Sequence, residues 1–114
     1  MTVANLGEHL VKITLVGRLD SAGVDKIETR FVAHLVPAGN NAIVDLSGVE
    51  FVASLGLRMF VSTARNLSVR KAKLALFGAQ GPVLQIFEAV ALSKIIPICA
   101  TEADALQAVA PAAK

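Results

Sequence analysis

The sequence predicts an α/β fold: a mixed, mostly parallel sheet with an N-terminal antiparallel hairpin strand and helices packed against it. Three observations lead there. Short β-branched segments alternate with longer stretches of helical period. Each changeover carries a glycine, a proline or a capping residue. The strand–helix–strand units have the length of right-handed crossovers between parallel neighbours. The implied order is β-β-α-β-α-β-α-β-α, in a single domain spanning 1–109 with a short C-terminal tail at 110–114.

Thr2 to Asn5 can pair back through the Leu6-Gly7-Glu8 turn as an antiparallel edge. Leu10 to Val16 is β-branched and alternating, and Gly17 is expected to stop it. Asp20 or Ser21 can cap the next helix, which places Val24, Ile27, Phe31 and Leu35 on one face; Pro37-Ala38-Gly39 ends it. Ala42 to Leu46 reads as a short strand buried on both faces. The helix opening near Ser54 is expected to turn Leu57, Phe60, Val61, Ala64 and Leu67 inward. Lys73 to Phe77 is the following strand, Gly78 breaks the chain, and Pro82 takes the first helical position. Val83, Ile86, Phe87 and Val90 form that helix's buried stripe, and Ile95, Ile96 and Ile98 supply a last strand. Thr101 caps a final helix that turns Ala105, Leu106 and Val109 inward, with Asp104 where a capping box has Glu.

Composition removes several function classes. Hydrophobic residues make up 54% of the 114 and charged residues 18%, the reverse of a disordered chain. No apolar run reaches the ~20 residues of a membrane span, and the first residues lack a signal-peptide pattern. A cytoplasmic location is the expectation. Cys99 is the only cysteine, which rules out an internal disulfide and a thiolate cluster for metal. With a net charge of +2 and no aromatic residue among Arg65, Arg70, Lys71 and Lys73, nucleic acid is not an expected partner. His9 and His34 have no nearby partner in sequence. Gly78-Ala79-Gln80-Gly81 lies where phosphates often bind, but Pro82 removes a helix-terminal N–H, so the segment reads as a structural turn. No catalytic residue, metal ligand or cofactor is assigned, and the chain is read as a binding module, not an enzyme.

One segment carries a site. Phe51-Val52-Ala53-Ser54-Leu55-Gly56-Leu57-Arg58 joins the central strand to its helix, with Ser54 at or beside the N-cap. A helix N-terminus favours negative charge, and a phosphoryl group on Ser54 would add about −1.5 to −2 charges there. The commoner role of such a serine is simply to cap the helix. Leu55, Arg58, Met59 and Ser62 share a face separate from the expected core stripe, so Leu55 and Met59 are expected to be exposed apolar contacts beside Ser54.

These residues resemble the STAS family of bacterial anti-sigma-factor antagonists and some transporter tails. The likeness runs through Gly17-Arg18-Leu19-Asp20, Ile43 to Arg58, Pro82-Val83, Ala91 to Ile96 and Thr101 to Leu106. It implies a STAS-like fold and a signal-transduction protein that regulates transcription by partner switching. Ser54 would be the phosphorylation site, and Asp20, Ala53, Leu55, Gly56, Arg58, Met59 and Ser62 the partner-binding surface. The implied partners are an anti-sigma factor that is also a serine-protein kinase, and a cognate phosphatase. ATP and Mg²⁺ would belong to the kinase. The same likeness leaves open a phosphorylation-independent accessory subunit of a lipid or ABC-type transport complex, and a weak homodimer. The chain departs from the family's Asp-Ser-Ser-Gly or Asp-Ser-Thr-Gly loop: Ala53 stands for the Asp and Leu55 for the second hydroxyl residue.

Overall fold

Two long strands set the frame. In the computed structural model, which describes residues 1–110, β1 (Thr2–Gly7) turns back antiparallel onto β2 (Leu10–Leu19), which runs parallel to β3 (Asn41–Val52). Between them lies α1 (Ser21–Leu35). The chain continues through α2 (Ser54–Val69), β4 (Leu74–Phe77), α3 (Gly81–Ala89), a 3₁₀ turn (Leu92–Lys94), β5 (Ile98–Cys99) and α4 (Glu102–Val109). The sheet order is β1-β2-β3-β4-β5, parallel from β2 onward. The α/β class and the mixed sheet are those expected. Of the expected tail, Pro111 to Lys114 lies outside the described residues.

Because the strands follow chain order, the crossovers step one way and α1, α2 and α3 gather on one face. Their core residues, among them Phe31, Phe60 and Phe87, pack with Ile13, Leu15, Val44, Leu46 and Leu76 of the sheet. Phe31 and Phe60 meet edge to face at 6.0 Å between ring centroids, which joins α1 to α2. Alternate residues of β3 and β4 point the other way. Ile43, Ala75 and Phe77 there receive Ala105 and Val109 of α4 in a second, smaller core. Polar ties fix α4: Lys12 Nζ donates to Glu102 Oε1 at 2.7 Å, and Asn41 Nδ2 donates to the Val109 carbonyl at 3.1 Å.

Several boundaries differ from expectation, each for a local reason. Gly17 does not end β2. With φ near +94° it lies in an irregular stretch where the β2–β3 register shifts, and the strand runs on to Leu19 opposite Val52. β3 therefore spans twelve residues instead of stopping at Leu46. Pro82 is the second helical residue, after Gly81 and the cap Gln80. Ala91 adopts a left-handed conformation (φ 53°) that closes α3, leaving Val90 and Ile95 about half exposed while Leu92 and Ile96 turn inward. The last strand shrinks accordingly to Ile98–Cys99.

Candidate functional site

The ends of β2 and β3 bring the candidate residues together. Their pairing runs to Leu19 opposite Val52, and the Ala53 N–H then donates to the Leu19 carbonyl at 2.9 Å. Asp20 thus caps α1 and Ser54 begins α2 on neighbouring segments. This register sets Asp20 beside the Ser54 loop.

Asp20 is the N-cap of α1, and its Oδ1 accepts from the Gly23 N–H at 2.9 Å. Of the two capping candidates, Ser21 is instead the first helical residue. Gly23 is required at its position, because a Cβ would come within 2.1 Å of the Arg18 carbonyl oxygen. The Gly23 N–H bond, and after it the Arg18 guanidinium, hold the Asp20 carboxyl below its usual range. Arg18 Nε stands 3.5 Å from Asp20 Oδ2, and its guanidinium lies 4.6 Å from the Phe51 ring centre. Arg18 and Phe51 are register partners in the β2–β3 pair. They were not singled out from the sequence. The register of a parallel pair, which alone reveals the stack, depends on the shift at Gly17 and leaves no mark in spacing.

At α2 the cap is Ala53, which has no side-chain acceptor, and Ser54 is the exposed first helical residue. Ser54 is therefore beside the cap and not the cap itself. The first turn holds no acidic residue, so no side chain of that turn offsets the positive end of the helix dipole. Leu55 is exposed next to Ser54, and Arg58 and Ser62 follow on the outer surface.

Two expected surface residues are placed otherwise. Met59 is fully buried and Gly56 is also buried, so neither offers a side-chain contact to a partner. The reason is the rotation of α2. Its buried residues are Gly56, Met59, Phe60, Thr63 and Leu67, while Leu57, Val61 and Ala64 are half-buried. Gly56 marks the closest approach: a Cβ there would lie 2.9 Å from Val52 Cγ1 and 3.1 Å from the Leu19 carbonyl oxygen. With Gly56 turned inward, Met59 three residues on follows it into the core. Of the two expected apolar contacts beside Ser54, Leu55 is exposed and Met59 is not.

Other candidates stand apart. His9 and His34 are exposed, and Gly78 makes a left-handed turn (φ 75°) against Asp45 and Ser47. Cys99 is half-buried, and burial, followed by Asp104, pushes its thiol pKa up, opposite to a reactive thiolate. Arg70 donates to the Pro37 carbonyl at 2.8 Å, so the basic run is partly structural. Among the described residues, no helix is long and apolar enough to cross a membrane.

The STAS domain family model matches residues 3–105. An anti-sigma-B factor antagonist of Listeria monocytogenes is 30% identical over 94 residues, covering 82% of each chain. The crystal structure of an anti-sigma factor antagonist from Mycobacterium paratuberculosis superimposes with a TM-score of 0.82 at 25% identity, covering 95% of this chain and 91% of that one. The phosphorylated form of the Bacillus cell fate determinant SpoIIAA gives 0.70 at 20% identity, covering 94% and 96%. With the family model matched over nearly its whole length and a relative 30% identical over 82% of each chain, the chain belongs to the STAS domain family, anti-sigma-factor-antagonist type.

Proposed function

We propose that the protein is a regulatory binding module that a partner kinase switches by phosphorylating Ser54. One observation carries the reading: an exposed serine begins a helix whose cap, Ala53, supplies no acceptor and whose first turn supplies no acid. A phosphoryl group placed there meets first-turn N–H groups and the positive end of the dipole, which offset repulsion from the neighbouring Asp20 carboxylate, so the free domain accepts it. A partner packed over Leu55 and Arg58 meets instead new bulk and about −1.5 to −2 charges. Binding is therefore lost on the partner's side of the interface, while the domain stays folded. The phosphorylated state of a structural neighbour from Bacillus supports the same chemistry for this fold. In this reading the partner is an anti-sigma factor with kinase activity. It contributes ATP and Mg²⁺, a separate phosphatase restores the serine, and Asp20 takes part in docking or in orienting the acceptor.

Affinity capture with Ser54→Ala and Ser54→Glu baits tests the switch. The Ala bait is expected to retain a kinase-type ATPase that the Glu bait loses, with at least a tenfold difference in Kd when the pair is purified (about 1.4 kcal/mol). Equal affinity of both baits for that ATPase sinks the switch. Recovery of the same transporter subunits by both baits would turn the assignment to a phosphorylation-independent accessory subunit.

A further inference from the structure

We propose that the groove between α2 and the α3–3₁₀ segment docks an acidic amphipathic helix of a partner protein. The groove encloses about 390 Å³. Its floor is apolar, with half-buried Val61 facing Val90 and Ile95, which are 52% and 51% exposed. Arg58 and Arg65 stand along it, and no acidic side chain lines it among the described residues. Neither arginine enters an ion pair among the described residues, so both charges are free for a ligand.

The spacing defines the occupant. Arg58 and Arg65 are seven residues apart on one helix, about two turns and ~10 Å. A partner helix carrying carboxylates seven residues apart would match both at once and lay its apolar stripe on Val61, Val90 and Ile95. A fatty acid has one carboxylate and would leave the second arginine unused. A second copy would present the same arginines at the contact, and like charges oppose that approach. The groove begins one turn along α2 from Ser54, yet the proposal does not depend on phosphorylation of that serine.

The test uses ¹⁵N-labelled protein and a synthetic helical peptide of about four turns, with leucines at i, i+3, i+4 and i+7 and two glutamates seven residues apart. Its control carries lysines at the two glutamate positions. The acidic peptide is expected to shift the amides of Val61, Ser62, Val90 and Ile95 saturably and to bind about tenfold more tightly than the control. The Arg58→Glu/Arg65→Glu variant should reverse that order, and Ile95→Asp should weaken both peptides. All three positions are exposed or half-exposed, and retained amide dispersion verifies the fold. Equal affinity of the two peptides, shifts elsewhere, or no shift at millimolar acidic peptide overturns the proposal. It is overturned equally if sodium oleate shifts the groove while the acidic peptide does not, or if dilution of the protein alone does so. None of these readouts involves a kinase, so they remain separate from the fate of the Ser54 switch.

Discussion

Ala53 and Asp20 are neighbours at the mouths of two helices, and they differ in one respect: Asp20 caps its helix and Ala53 does not. The backbone at Ala53 is already extended (φ −88°, ψ 175°), the geometry of a capping residue, so only the side-chain oxygen is missing. Ala53→Ser is expected to stabilise the protein by about 1 kcal/mol and raise Tm by ~4 °C or more, measured by thermal unfolding. No gain would mean that the first-turn N–H groups are already satisfied. Serine is the cleaner choice, since an aspartate there would add a second carboxylate beside Asp20. Asp20 itself carries a pH signature. Its folded pKa lies below the ordinary value of ~3.9, so its contribution is present above that value and is lost as pH falls through the lowered folded pKa. Asp20→Asn keeps a capping oxygen but cannot titrate. Urea unfolding should show the native protein losing stability relative to Asp20→Asn on acidification below the carboxylate range. Parallel pH curves for the two would remove Asp20 from the account.

At the scale of the element, α2 shows what the sequence could and could not reveal. The existence of the helix, its start at the Ala53-Ser54 junction and its core residues Phe60 and Leu67 were legible, because an apolar repeat of helical period behind a strand has few other readings. Its rotation was not. The true inward face is built around Gly56 and Thr63, one without a side chain and one polar, so hydrophobicity weights that face too lightly and shifts the apparent stripe toward Leu57 and Val61. Met59 was misplaced outward for the same reason. The extension of β2 past Gly17 and the Arg18–Phe51 stack were hidden because both depend on pairing between distant segments. The face that misled also holds an energetic fault. Thr63 is 1% exposed and its hydroxyl has no hydrogen-bond partner among the described residues. Replacing it by the near-isosteric valine removes an unsatisfied polar group without opening a cavity. Thr63→Val is expected to stabilise by about 1–2 kcal/mol in denaturant unfolding. A loss of stability would show that the hydroxyl has a partner, such as an ordered water.

Across the whole molecule, the strand order decides which parts are most firmly held. Successive crossovers in one direction place three helices over one face and, among the described residues, leave the opposite face to α4. Among the described residues that arrangement has no strand-order reversal, and hence no switch-point crevice of the kind in which doubly wound enzymes bind cofactors. It also divides the stability unequally. The three-helix face shares one extended core, whereas α4 rests on Ile43, Ala75 and Phe77 through Ala105 and Val109, with the Lys12–Glu102 and Asn41–Val109 ties at its two ends. A short helix on a small core opens before the rest of the fold. Native-state hydrogen exchange should therefore show α4 amides exchanging at lower free energy than those of β3, β4 and α2. Val109→Ala removes two buried methyl groups and should lower protection in α4 selectively, leaving the α1–α2 interface around Phe31 and Phe60 at its original protection. A uniform loss across every element would show instead that both faces unfold as one cooperative unit. Selective loss would place the Ser54 helix within the rigid part of the domain. A phosphoryl group there would then act on the bound partner, without loosening the fold that carries it.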